Sequence, residues 1–283
     1  MGNITEEISF KSGDVEGVIL IIDKNENRDE MIDFITDKGY HGASGVYYHI
    51  KNVNSETPSA YAGKAYHLGR RAFQKSRLID VDKVILICLK TSPGEKEIVL
   101  MDENWRQQME YLLIHDLRKR AFFGCIELGN TSVESQSLCK VDEKKRIREF
   151  FEEAKSRLEE KLPNVFLKFD TGKISKIDGV EEYIIPNRTE SLWIKESVGA
   201  FVKKGTTAKG YSKDEEKNVF KGINLSHHRE KTALIDLGIL VTREAESDFI
   251  FEQDHLFSTK TEAAAILINI NQFQRKSWKL RTN

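Results

Sequence analysis

Cysteine and proline are both scarce in this chain of 283 residues, which has three of the first and four of the second. The cysteines, Cys88, Cys125 and Cys139, form no C-x-x-C pair and no Cys/His ligand spacing, which argues against a disulfide framework or a zinc site and suits a reducing cytoplasm. So few prolines set aside collagenous and proline-rich low-complexity classes. No apolar run reaches the ~18 residues a membrane span needs, and the opening MGNITEEISF has neither a basic nor an apolar leader region. The expectation is a cytoplasmic protein, neither membrane-spanning nor secreted. An excess of charge of one sign is missing too. Lys+Arg 44 against Asp+Glu 45 gives a net charge of -1, so bulk electrostatics do not announce a nucleic-acid binder and any such function must come from local patches.

What is present is a charge-rich globular composition, 39% hydrophobic and 31% charged. The length favours two domains over a single fold of ~250 residues. Ile8 and Phe10, the Ser12-Gly13-Asp14 turn and the run Val18 to Ile22 predict a hairpin. A helix is expected over Arg28 to Asp37. Gly45 to Ile50 and Ala60 to Gly63 then read as two strands of an antiparallel pair. The pattern turns helical from His67 to Arg77, becomes a doubly buried strand over Val84 to Leu89, and is helical again from Trp105 to Arg120. A charged amphipathic helix from Glu143 to Leu162 carries Ile147, Phe150, Phe151, Ala154 and Leu158 on its apolar face. Pro163, Gly172, Asp178 and Gly179 mark a boundary, giving domains 1–165 and 180–283. In the second, strands are expected at Tyr183 to Ile185, Ala200 to Lys203 and Phe249 to Glu252. A helix through Ala233 to Leu237 stops at Gly238, and a last one is capped by Ser258 or Thr259. The fold class expected is α+β, a small antiparallel sheet flanked by helices with a second, smaller α+β domain.

Chemistry concentrates in the first domain. Strand alternation puts Gly45, Tyr47 and His49 on one face and Val46, Tyr48 and Ile50 on the other. Arg71, ten positions beyond Tyr61, shares a helical face with Leu68, and its planar fork suits a pair of phosphate oxygens. Residues 61 to 77 hold Lys64, Arg70, Arg71, Lys75 and Arg77 without one acidic residue. That cluster reads as a nucleic-acid contact, against the alternative of a solvated helix face. Glu110 precedes Leu113, Ile114 and Leu117 at helical spacing, which sets a carboxylate on or beside an apolar stripe. It is either a functional carboxylate or a marginal one paired to Arg106 or Arg70.

Gly45-Val46-Tyr47, then Tyr61-Ala62-Gly63-Lys64, Leu68, Arg71 and Glu110 with Leu113-Ile114, resemble in order and spacing the GIY-YIG nuclease family. The resemblance implies phosphodiester hydrolysis. Tyr47 would orient or deprotonate the water, with Tyr61 as a second hydroxyl, Lys64 and Arg71 as cations, and Glu110 as ligand to a single Mg²⁺ or Mn²⁺. The nucleic acid implied is DNA, with RNA left open. Val46 and Ala62 replace isoleucines, and Lys75 stands where many members carry a histidine. Asn130 resembles an asparagine some relatives place near the site. Looser likeness in Gly199 to Thr206, Arg229 to Leu240 and Asp254 to Ala265 is to a bacterial subgroup with a C-terminal domain of unknown function. Near the C-terminus Arg275, Lys276, Lys279 and Arg281 surround Phe273 and Trp278, which suits backbone contact with base stacking or a loose, solvated tail. Two rivals to a nuclease stay open: a catalytically silent nucleic-acid-binding module, and an interaction scaffold in a defence or repair complex that docks through the charged helix.

Overall fold

The structure is a computed structural model that describes residues 5–24, 28–90, 100–130, 139–166, 169–185, 190–210, 225–242, 248–269 and 278–281. It is an α+β protein of two compact units, Met1–Phe169 and Asp170–Asn283. Among the described residues no helix is long and apolar enough to cross a membrane.

The first unit is built on one six-stranded sheet. Its strands are β1 (Thr5–Ser12), β2 (Val15–Asp23), β3 (Gly45–Lys51), β4 (Ser59–Ala65), β5 (Lys83–Leu89) and β6 (Glu127–Leu128), in the spatial order β1-β2-β5-β3-β4-β6. All neighbours are antiparallel except β4 and β6. The continuous apolar run of β5 has its cause in this order: it lies between β2 and β3, and helices cover both faces. On one face Val46, Tyr48, Ile50, Ile85 and Ile87 pack against α3 (Glu103–Phe122) and α4 (Val141–Lys161). On the other, Tyr47, Val84, Leu86 and Cys88 pack under α1 (Arg28–Asp37) and α2 (Leu68–Arg71). The Asp102 side chain accepts the Trp105 amide and starts α3 two residues before the periodicity does. Buried Asp116 of α3 accepts from Arg120 at 2.7 Å and from Lys155 of α4 at 2.9 Å, so the two helices are joined by ions as well as by their apolar faces.

The helix expected over His67 to Arg77 is broken. Only Leu68–Arg71 is α-helical, and Lys75–Arg77 is a separate 3₁₀ turn. Phe73 is driven into the core at 0% exposure, its carbonyl is taken by Arg28 Nε at 2.5 Å, and Gln74 turns extended. That kink decides which arginine reaches the tyrosines.

The first unit ends with the short helix α5 (Pro163–Phe166), and the second opens with a 3₁₀ turn at Thr171–Lys176. A five-stranded sheet follows the order β13-β9-β8-β7-β14, comprising β7 (Glu181–Ile184), β8 (Ser191–Lys195), β9 (Gly199–Val202), β13 (His255–Phe257) and β14 (Lys279–Leu280). Three short strands, β10 (Thr207–Ala208), β11 (Leu240–Thr242) and β12 (Phe249–Phe251), form a second sheet. Among the described residues the helices of this unit are α6 (Leu225–Asp236) and α7 (Lys260–Ile268), the latter capped by the Thr259 hydroxyl accepting the Glu262 amide. Buried Ala263 and Ala264 pack with Tyr183, Leu192, Phe257 and Trp278. Lys279 and Leu280 pair with Ile184 and Tyr183, so these residues are an edge strand rather than a loose tail. Lys279 is exposed there; Arg275, Lys276 and Phe273 lie outside the described residues.

Candidate active site

Strands β3 and β4 set Tyr47 opposite Gly63 and His49 opposite Tyr61. The pleat turns Tyr47, His49 and Tyr61 to the face that packs under α2. Their rings form one cluster, with centroids 5.0 Å apart for Tyr47 and His49, 6.3 Å for Tyr47 and Tyr61, and 6.1 Å for His49 and Tyr61. The glycines of both motifs are required by close approach. A Cβ on Gly63 would stand 2.7 Å from Cζ and the hydroxyl of Tyr47, and one on Gly45 would stand 2.2 Å from the Ile87 carbonyl oxygen.

Arg77 reaches this cluster from the 3₁₀ turn. Its Nη1 donates to the Tyr61 hydroxyl at 2.9 Å and, less closely, to the Tyr47 hydroxyl at 3.4 Å, and its guanidinium lies 5.4 Å from the centre of the Tyr61 ring. Arg71 does not make these bonds. It is exposed and donates to Gln74 Oε1 at 3.1 Å, although it remains near enough to act electrostatically on Tyr47.

Burial pushes the Tyr47 hydroxyl up to about 12, and neighbouring Tyr61 adds to this, while Arg77 and Arg71 pull the other way without reversing it. At neutral pH Tyr47 therefore keeps its proton. Burial pushes His49 down to about 4. Its Nε2 lies 2.8 Å from the Ala72 carbonyl, which can only accept, so Nε2 carries the proton and the neutral ring is a spacer between two tyrosines rather than a cation.

Glu110, on α3, sits on the opposite side of β4 from the tyrosines and is 7% exposed. One oxygen accepts the Lys64 amide at 3.0 Å. The Lys64 ammonium lies 3.5 Å from the other oxygen and 3.4 Å from Glu103. Lys64 is thus the partner, where the sequence suggested Arg106 or Arg70. Arg106 instead bonds Glu103 and the Met101 carbonyl, and the bond from Arg106 holds the Glu103 carboxyl below its ordinary value. Asn130 closes the same strand edge by donating to the Ala62 carbonyl and accepting the Ala62 amide, each at 2.8 Å. It takes the place of a neighbouring strand's backbone.

Among the described residues no three His, Cys, Asp or Glu side chains converge, so a divalent cation at this place would meet Glu110 as a lone carboxylate beside the Lys64 ammonium. A single fixed carboxylate, completed by phosphate oxygens and water, fits the hard-cation chemistry of Mg²⁺ or Mn²⁺.

Lys64, Arg70, Arg71 and Lys75 line a cleft of about 530 Å³ together with Arg28, Ala65, Tyr66, His67 and Gln74. Five cations and no carboxylate make it a site for anions. Arg28 and Tyr66 escape sequence reasoning. Arg28 belongs to a distant helix and is brought in by its bond to the Phe73 carbonyl, which no local pattern signals; Tyr66 lies inside the basic stretch, and its exposure was the missing information. No family model, curated protein or solved structure matches this chain.

Proposed function

We propose that the protein is a metal-dependent nuclease that hydrolyses phosphodiester bonds in nucleic acid, DNA first among substrates. The observation that carries this reading is the acid-free cleft, lined by Lys64, whose ammonium also lies 3.5 Å from the buried Glu110, and by Arg71, which acts electrostatically on Tyr47. Lys64, Arg70, Arg71, Lys75 and Arg28 bind the phosphate backbone. Protonated Tyr47 orients the water through its hydroxyl; the raised value supports this over proton abstraction from the resting arrangement. Arg77 fixes both hydroxyls. Glu110 is the residue that would hold Mg²⁺ or Mn²⁺, and the bound ion would supply stabilisation of negative charge on the phosphate and leaving oxygen.

The experiment is a nicking assay on plasmid and oligonucleotide substrates with and without Mg²⁺ or Mn²⁺. Metal-dependent cleavage lost in both Tyr47→Phe and Glu110→Gln supports the nuclease. A silent binding module is the second reading, favoured by the Lys64 ammonium already lying between the Glu110 and Glu103 carboxylates. Salt-dependent binding with no cleavage in either metal would establish it.

A further inference from the structure

We infer that Tyr66 is a base-stacking platform, so that the cleft takes a single-stranded segment of nucleic acid and seats one unpaired nucleotide on this ring. The inference deepens the function proposed above and rests on its reading of the cleft as a phosphate site.

Tyr66 follows the last residue of β4 and lines the cleft between Lys64 and His67. It is 55% exposed and is the one aromatic residue among the large exposed hydrophobics of the described residues. Its orientation is nonetheless fixed. The His67 ring stands against it at 4.7 Å and 86°, and the Arg106 guanidinium lies 5.1 Å from its centre. Arg106 is itself buried and anchored to the Met101 carbonyl at 2.7 Å. A tyrosine braced in this way loses little freedom when a ligand stacks on it, which is the condition for a useful platform.

Around it stand the cations of the cleft, Lys64, Arg70, Arg71 and Lys75. Phosphate contacts beside an exposed aromatic face are the recurring arrangement for single strands, because each base has a π-face and the backbone runs alongside. Paired bases within a duplex already stack on their neighbours and offer no face to such a ring. The volume of about 530 Å³ falls within the range of ~300–1,000 Å³ that encloses one small ligand, room for a nucleotide but not for a turn of duplex.

The test uses the full chain in the presence of a chelator, so that binding is read without cleavage. Oligonucleotides carry fluorescent 2-aminopurine at successive positions, either single-stranded or paired with a complement. The expected result is quenching at one position of the single strand. Tyr66→Ala should abolish that quenching and weaken single-strand binding by about 5- to 150-fold, the range for one stacked base, while changing duplex binding less than about twofold. Tyr66→Phe, which keeps the ring, should retain both signals. Single-strand affinity unchanged in Tyr66→Ala, an equal loss for duplex, or a Tyr66→Phe loss as large as that of alanine would overturn the stacking role while leaving the nuclease reading intact. Absence of binding to either form by the unsubstituted protein would overturn the phosphate reading of the cleft and this inference with it.

Discussion

Arg77 donates to the Tyr61 hydroxyl at 2.9 Å from 16 residues further along the chain, and the same Nη1 reaches the Tyr47 hydroxyl at 3.4 Å. One guanidinium therefore bridges the two strand tyrosines, each of which comes from a different motif. The bridge exists because Phe73 drops into the core and breaks the helix before it, which swings the 3₁₀ turn toward the sheet. Spacing along an unbroken helix points to Arg71 for that position. The kink hands it to Arg77 and leaves Arg71 on the wall of the cleft.

Cleavage kinetics should separate the two arginines. Arg77→Ala should lower kcat by about 10²-fold with little change in KM, because misplaced reacting groups cost turnover. Arg71→Ala should mainly raise KM and flatten the dependence of binding on salt by about 0.7–0.9 in log slope, one phosphate contact's worth. Equal losses of kcat in both variants would show that the bridge seen at rest does not survive into the reacting complex.

The buried His49 should make stability depend on pH. Its ring is held down to about 4 by burial, whereas an unfolded histidine titrates near ~6.5. Between those values the unfolded chain binds the extra proton, so stability should fall as pH drops from about 6.5 toward about 4 and be complete above that window. The full loss from this one group is about 3 kcal/mol. Urea unfolding at several pH values should show a shallower acid slope in His49→Gln, which keeps a donor for the Ala72 carbonyl and has no proton to gain. An unchanged slope would assign the acid sensitivity to other groups.

Gly63→Ala should injure the site more than the fold. The new methyl would lie 2.7 Å from the Tyr47 hydroxyl and Cζ, and the ring has to move aside at a cost of about 1–3 kcal/mol. Activity should fall at least as far as in Tyr47→Phe, with the circular dichroism spectrum retained. A fully active Gly63→Ala protein would mean that the position of Tyr47 is not what the chemistry depends on.

Much of this arrangement was legible in the sequence, and the parts that were not share a cause. Period-two alternation placed Tyr47 and His49 on one face and Val46, Tyr48 and Ile50 on the other, as the two cores show. The carboxylate of Glu110 on an apolar stripe signalled burial, which the structure bears out at 7% exposure. Local pattern could not reveal contacts made across long sequence separations, such as Arg28 to the Phe73 carbonyl or Lys64 to Glu110, 46 residues apart. Nor did it mark Ser191–Lys195 or His255–Phe257, although it found the equally short strands at Tyr183 to Ile185 and Phe249 to Glu252: runs of three to five residues carry too little periodicity to separate strand from loop consistently.

The Lys64–Glu110 pair yields the prediction that bears most directly on the proposed chemistry. The ammonium lies 3.5 Å from one Glu110 oxygen, so it competes electrostatically with any cation drawn to that carboxylate. Lys64→Met keeps the side-chain stem, removes the charge, and should tighten Mn²⁺ binding by at least about tenfold, a modest share of the ~4 kcal/mol that two unit charges 4 Å apart exchange near a protein surface. Glu110→Gln retains an oxygen for the Lys64 amide bond of 3.0 Å, and so should keep its thermal stability to within about 1–2 kcal/mol while losing Mn²⁺ binding. Calorimetric titration of Mn²⁺ into the three proteins reads both effects without reference to cleavage. If Glu110→Gln binds Mn²⁺ as tightly as the unsubstituted chain, the carboxylate is not the ligand. Lys64 would then be its permanent counter-ion, and the cleft a place where nucleic acid is held rather than cut.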